Sequence, residues 1–233
     1  GLSQVCIPSI YQDELGAVWL GTTEGLNRYN GKDVRVFQPS ESNHGLTNNE
    51  INELCGDKNG RMYIRSGNDL IKLDIYTEQF TCLRQKGVYG LFCKKDTLWV
   101  SCADGIYYYT GQGTELTFFA RVQKGFVGRA LYVDRETVWV VTRKYLVAIS
   151  REDPLRQEIL LTLDKGNCIL GDSSGNIWVG AWNGLYRVSP DRETTAYVSH
   201  SGMGELSDNQ VRCVLEDDFK HIWVGTFKAI DCY

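Results

Sequence analysis

No long apolar run occurs in this sequence: the longest has five residues, Tyr145 to Ile149, and a helix that crosses a membrane needs about 20. The opening Gly1-Leu2-Ser3-Gln4 lacks both a basic region and an apolar core, so no secretory leader is expected within the chain. Basic residues do not predominate. Twenty-five Lys and Arg against 29 Asp and Glu give a formal charge of −4, without the basic face that a reader of nucleic-acid backbone needs. Histidine is rare, and neither a His-x-x-x-His nor a Cys-x-x-Cys spacing occurs, so no metal site and no cofactor are expected. What the chain does have is 42% hydrophobic residues, enough for a real core and too many for disorder. With 24 glycines, four prolines and 12% aromatics, it reads as many turns between aromatic and β-branched segments, an all-β pattern.

Internal repetition is the strongest signal. Trp19, Tyr63, Trp99, Trp139, Trp178 and Trp223 recur at intervals of 44, 36, 40, 39 and 45 residues. Their neighbours fall into register. An apolar residue precedes each anchor, and Leu, Ile or Val follows it. A small residue stands three beyond (Thr22, Ser66, Cys102, Thr142, Ala181, Thr226), and Leu or Ile seven beyond (Leu26, Leu70, Ile106, Leu146, Leu185, Ile230). Before the anchor, Asp13-x-x-Gly16, Asp57-x-x-Gly60 and Asp172-x-x-Gly175 supply a turn. After it, Glu24-Gly25, Asp104-Gly105 and Asn183-Gly184 are hairpin signals. The third strand of a unit stops at a polar break such as Asn30 or Asp74, and a fourth follows, as in Val34–Phe37. The first strand is expected over segments such as Val5–Tyr11 and Val211–Leu215. Asn48–Leu54 has helical propensity, but its place before the turn makes it an inner strand.

Four short antiparallel strands in each unit of about 40 residues describe a propeller blade. The expectation is therefore an all-β propeller with five four-stranded blades and a three-stranded sixth, over residues 1–40, 41–84, 85–121, 122–163, 164–199 and 200–233. The anchors are expected to fill the wedges between blades. The third unit has Lys94-Lys95-Asp96 instead of the Asp-x-x-Gly turn, and the fourth has Arg143-Lys144-Tyr145 where others have a glycine hairpin.

Several units read closely like a known family. Ile10–Asn30 (IYQDELGAVWLGTTEGLNRYN), Asp172–Arg187 (DSSGNIWVGAWNGLYR) and Asp217–Thr226 (DDFKHIWVGT, with Lys220 in place of Gly) resemble the two-component regulator propeller repeat. So does the inter-blade phrase at Leu46–Asn49 and Leu206–Asn209. The resemblance implies a periplasmic sensor region of a hybrid two-component system. Such a region binds oligosaccharide and signals through a membrane anchor to a histidine kinase that this chain does not contain. Family members carry more repeats, so the chain is expected to be an N-terminal fragment, an incomplete ring that self-associates through its open edges. A propeller that only docks protein partners or its own dimer mate is the alternative, and a propeller hydrolase or lyase a more distant one.

No catalytic residue is assigned. Gly171-Asp172-Ser173-Ser174-Gly175 spells the Gly-x-Ser-x-Gly elbow, which works only on a strand-to-helix turn; here it is one hairpin turn among several. His44 and His200 fall in linkers and His221 beside an anchor, each expected to be solvated or locally hydrogen-bonded. The eight cysteines are expected to be mostly free thiols, small apolar side chains suited to a crowded hub, although a periplasmic location permits disulfides. A ligand site is expected at the face shared by the second-to-third turns and the linkers. The candidates are Glu24, Asn68, Asp104, Arg143, Lys144, Trp182 and Asn183, with the Trp182 indole available to stack on a sugar.

Overall fold

The computed structural model describes residues 1–39, 45–199 and 206–233. Among these, every regular element is a strand except one 3-10 turn at Gln123–Gly125. Two compact units divide the chain, Gly1–Phe119 and Ala120–Tyr233.

The first unit holds three antiparallel sheets whose strands pair in sequence order. They are β1 (Ser9–Gln12), β2 (Val18–Thr22), β3 (Gly25–Tyr29) and β4 (Val34–Phe37); then β5 (Ile51–Gly56), β6 (Arg61–Ser66), β7 (Asp69–Asp74) and β8 (Gln79–Lys86); then β9 (Val88–Lys94), β10 (Thr97–Cys102), β11 (Gly105–Tyr109) and β12 (Thr117–Ala120). The second unit follows the same plan. It has β13 (Gly128–Val133), β14 (Thr137–Thr142), β15 (Tyr145–Ser150) and β16 (Gln157–Thr162), then β17 (Cys168–Gly171), β18 (Ile177–Ala181), β19 (Gly184–Val188) and β20 (Thr194–Tyr197). Its last sheet has three strands, β21 (Val211–Glu216), β22 (Ile222–Thr226) and β23 (Ile230–Cys232). These are the expected blades of an all-β propeller, five with four strands and one with three.

Each anchor lies on the second strand of its blade, and in four blades a recurring carboxylate fixes its indole there. Asp13 accepts the backbone N–H groups of Leu15 and Ala17 on one oxygen and the Trp19 indole N–H, at 2.8 Å, on the other. Asp172 does the same for its turn and Trp178, and Asp217 for its turn and Trp223. Asp134 serves Trp139 from five residues away instead of six. Tyr63 has no indole N–H, and in its blade Arg61 Nε donates to Asp57 instead. The fourth residue of these turns needs a positive φ. Gly16, Gly60 and Gly175 supply it at 84°, 88° and 85°, and Lys220 adopts the same conformation at 68°.

Two joints, one in each unit, seat a branched side chain of one blade on a bare glycine of its neighbour. A Cβ added to Gly21 would lie 2.8 Å from Cγ2 of Ile51, and one on Gly180 2.5 Å from Cγ1 of Val211. The cysteine register has the same cause. Cys168 pairs with Gly180 and Cys213 with Gly225 across the first two strands, so each sulfur rests against a glycine Cα. All eight cysteines are free, and burial pushes the Cys168 and Cys102 thiols up to about 12. Around the seats, separate apolar clusters join adjacent blades, one holding Trp19 with Ile51 and Leu54, another Trp178 with Leu206 and Val211.

Two expectations need correction. The first inner strand does not run from Val5 to Tyr11: β1 begins at Ser9, and Val5 is exposed. Pro8 lacks the N–H to extend the ladder and falls at the register where other inner strands bulge. Nor are all six anchors core residues. Five are buried, but Trp223 is 40% exposed; Trp19, Tyr63, Trp139 and Trp178 each pack in an apolar cluster with residues of the sheet that follows, and, among the described residues, Trp223 does not. Asn48–Leu54 is extended as expected, with β5 starting at Ile51.

Trp178→Ala will therefore cost about 3–5 kcal/mol in denaturant unfolding, the cost of emptying a packed aromatic site. Trp223→Ala will cost clearly less, although both remove the same hydrogen bond to an Asp. The carboxylate latch also sets an acid limit. The Trp223 indole and then His221 and two backbone N–H groups hold Asp217 at about 2, below its ordinary 3.8. Burial works against the charged form of Asp172, yet hydrogen bonds from Trp178, Asn176 and Ser174 outweigh it and keep that carboxyl below its ordinary value. A carboxyl with a lowered pKa in the folded state stabilises fully above its unfolded value and loses that contribution as pH falls through the folded one. Stability of the second unit will thus be flat above about pH 4 and decline towards about pH 2, with Asp217→Asn reducing the slope in an acid titration followed by tryptophan fluorescence.

Candidate functional site

One end of each blade carries the hairpin between its second and third strands and the start of its inner strand. Threonine shapes several of these hairpins. Thr22, Thr142 and Thr226, the small residues three beyond their anchors, donate from Oγ1 to the carbonyls of Gly25, Tyr145 and Ala229. The Thr142 hydroxyl also accepts from the N–H groups of Lys144 and Tyr145, which closes the Arg143-Lys144 turn without a glycine. At the same end, inner strands carry one extra residue. The register shifts around Asn52 in β5, Tyr89 in β9, Arg129 in β13 and Arg212 in β21. Such a bulge lifts a side chain out of the ladder and re-aims it.

In the first unit the expected residues Glu24, Asn68 and Asp104 are exposed on three successive hairpins. Two are engaged locally: the Glu24 carbonyl accepts from Gln38, and the Asp104 carboxylate from the Tyr107 hydroxyl at 2.8 Å.

In the second unit, Arg143, Lys144, Trp182 and Asn183 meet around one linker. The carbonyls of Lys144 and Arg143 accept the N–H groups of Leu163 and Gly166 at 2.7 and 3.0 Å. From the other side, the Trp182 N–H donates to the Asp164 carbonyl, and the Asp164 N–H donates to Asn183 Oδ1. So pinned, the linker turns through Lys165 at a φ of 49° and lays its ammonium over the half-buried Trp182 ring, 3.6 Å from the centroid. The bulge residue Arg212 reaches the same ring at 5.5 Å and the exposed Phe227 ring at 5.6 Å. Asn167 holds the Arg212 carbonyl from below, at 2.8 Å.

The result is an aromatic ledge bearing cations. Arg143, Lys144, Lys165 and Arg212 form no ion pair with any described residue, whereas Lys228 nearby lies 3.5 Å from Asp208. Cations held against rings at a partly exposed site gain about 0.5–1 kcal/mol each and stay available to an anion. Sequence reasoning missed Lys165, Arg212 and Phe227. Only the bulge register, in which Arg212 aligns with Asn52 and Arg129, could have pointed to one of them.

A cavity of about 520 Å³ opens at the other end of the same unit, lined by Glu136, Thr137, Ser150, Arg156, Gln157 and Glu158 with Arg192. None of the expected residues reaches it. Arg192 is bound to Glu158 at 3.0 Å and covers the buried Trp139 ring at 5.2 Å, so this cavity offers hydrogen bonds but no open aromatic face.

Ser173 lies between strands β17 and β18, not before a helix, and its hydroxyl donates to Glu216 at 2.6 Å. His221 contacts Asp217 at 3.0 Å; His44 and His200 lie outside the described residues. No group of three or more His, Cys, Asp and Glu among the described residues is placed to hold a metal.

The family described as two component regulator propeller matches residues 1–24 and 205–228. No curated protein matches the sequence. Among solved structures, the extracellular domain of a hybrid two-component system from B. thetaiotaomicron superposes with a TM-score of 0.75 at 21% identity, covering 100% of this chain and 40% of that one. The extracellular domain of a one-component system from the same organism gives 0.67 at 18%, over 100% and 38%. Virginiamycin B lyase from Staphylococcus aureus gives 0.72 at 11%, over 97% and 83%. At these identities the likeness is one of fold. The chain spans about two fifths of the length of the two extracellular domains.

Ser173→Ala will lower stability by about 1 kcal/mol or less, the worth of an exposed hydrogen bond. Any ester- or glycoside-hydrolysing activity lost with that hydroxyl would reinstate the nucleophile reading.

Proposed function

From two-component regulator propeller repeats at residues 1–24 and 205–228, we propose that this chain is the ligand-binding part of an extracytoplasmic sensor that signals to a histidine kinase. Its ligand is an oligosaccharide, and one that carries negative charge. The observation that carries this reading is the ledge of Trp182 and Phe227 under Lys165 and Arg212. A sugar ring needs an apolar platform with hydrogen-bond donors at its rim. A carboxylated or sulfated sugar also needs unneutralised cations, and guanidinium matches such anions in bidentate geometry.

The reading is one of binding without turnover. The carboxylates that recur in register, Asp13, Asp134, Asp172 and Asp217, are engaged as latches on their anchor indoles, and the elbow serine is tied to Glu216.

A thermal unfolding series with uronate-containing, sulfated and neutral oligosaccharides tests the proposal. A ligand bound only by the folded state at 100 times its Kd adds about 2.7 kcal/mol. Acidic sugars are expected to raise the melting temperature, less so at high salt, and neutral ones to leave it unchanged. Arg212→Ala and Trp182→Ala should abolish the shift while melting close to the parent protein. A shift that persists in both variants, or none with any acidic sugar, rejects the site.

A further inference from the structure

Two linkers of the second unit each lay a side chain on the hairpin of the blade they enter. Ahead of β17 it is Lys165, over the Trp182 ring. Ahead of β13 it is Phe126, whose ring meets that of Tyr145 with centroids 4.9 Å apart. A turn sets this second approach. The Phe126 N–H donates to the Gln123 carbonyl, and the Gln123 N–H donates to Gln157 Oε1 at 2.8 Å, which ties the turn to β16 of the same blade. Both rings are half-buried. The Lys144 ammonium stands 5.7 Å from the Tyr145 centroid, and Arg143 beside it is exposed. This blade therefore carries its own aromatic pair with cations at the rim.

Shared backbone fixes where the two groups stand. The segment from Leu163 to Gly166 donates to the carbonyls of Lys144 and Arg143 on one flank, and bonds Trp182 and Asn183 on the other. Gly166 lies so close to the first hairpin that a Cβ there would run into the Thr142 carbonyl. Four residues of linker thus form a common wall between the Tyr145 group and the Trp182 group, and neither hairpin can move away without breaking these bonds.

We propose that Tyr145 and Phe126, with Lys144 and Arg143, form a second subsite, so that the ligand is a chain with at least two anionic sugars, one at each aromatic group. The inference rests on the sugar-binding reading and adds length and charge spacing to it. A half-buried ring offers a sugar an apolar platform while its other edge stays packed. The ammonium and guanidinium beside it donate to the carboxylate or sulfate. Once one sugar is held at Trp182, the contact at Tyr145 becomes intramolecular, and a ligand that reaches both groups gains about 100-fold in affinity.

Titration calorimetry with size-graded oligomers of a uronate polymer and of a sulfated glycan, two to six sugars long, tests the arrangement. Affinity is expected to rise about 100-fold from the shortest to the longest in one series. Lys144→Ala, which keeps the backbone bonds of the linker, should weaken the longest oligomer about tenfold, the worth of one hydrogen bond to a charged group. It should leave the disaccharide unchanged, whereas Arg212→Ala should abolish binding of both. Long oligomers that bind no better than the disaccharide overturn the second subsite alone. So does full affinity for them in Lys144→Ala while Arg212→Ala still abolishes binding. Binding that survives Arg212→Ala, or no binding in either series, rejects the sugar-binding reading and this inference with it.

Discussion

A carboxylate that accepts from a turn and from an indole at once is the interaction on which the rest of this structure depends. At Asp13, Asp172 and Asp217, one oxygen closes the turn into the second strand and the other takes the Trp N–H. The indole thereby loses its rotational choice and must present its ring to the neighbouring blade. A buried Trp with an unsatisfied N–H would be costly, and one satisfied by a mobile partner would pack in several ways. The tyrosine blade shows how far the arrangement stretches. There Arg61 replaces the indole at Asp57 and also reaches Asp96 of the next blade at 3.0 Å, so the latch becomes an ionic tie between sheets.

The blade plan was legible because it is written in residues whose spacing is fixed by strand geometry: the anchor, the small residue three beyond, the aliphatic seven beyond. What escaped were substitutions that keep the backbone and change the letter. Asp134 performs the latch from one residue closer, and Lys220 and Lys95 hold left-handed conformations at φ of 68° and 52° that a reader assigns to glycine. The candidate site was half legible. Hairpin chemistry marked Trp182 and Asn183, but Lys165 reaches the indole only because backbone hydrogen bonds from two blades pin its linker. Arg212 does so from a bulge, which is a property of two strands and cannot be read from one.

The two ends of the second unit differ in what their side chains are committed to. At the end of the Asp turns, charges are paired within the protein, as Arg192 is with Glu158, and the aromatic rings lie beneath them. At the hairpin end the cations rest on rings instead of carboxylates, which holds them in place without neutralising them. Rings orient a cation through their quadrupole and leave its net charge intact. That separation of positioning from neutralisation is what the proposed anion-binding role of this surface calls for.

The bulge that opens the inner strands has a consequence for how such a surface can be retuned. Asn52, Tyr89, Arg129 and Arg212 each occupy the one register position with no cross-strand partner, and Pro8 stands at the same place ahead of β1. Flanking residues such as Ile51 and Val211 carry the seat on which the neighbouring blade rests. An amide, a phenol and guanidinium groups already share the intervening position without altering the ladder on either side. The strand thus keeps an interchangeable letter between two fixed ones, and these letters can be respelled while the words that fold the blades stay the same.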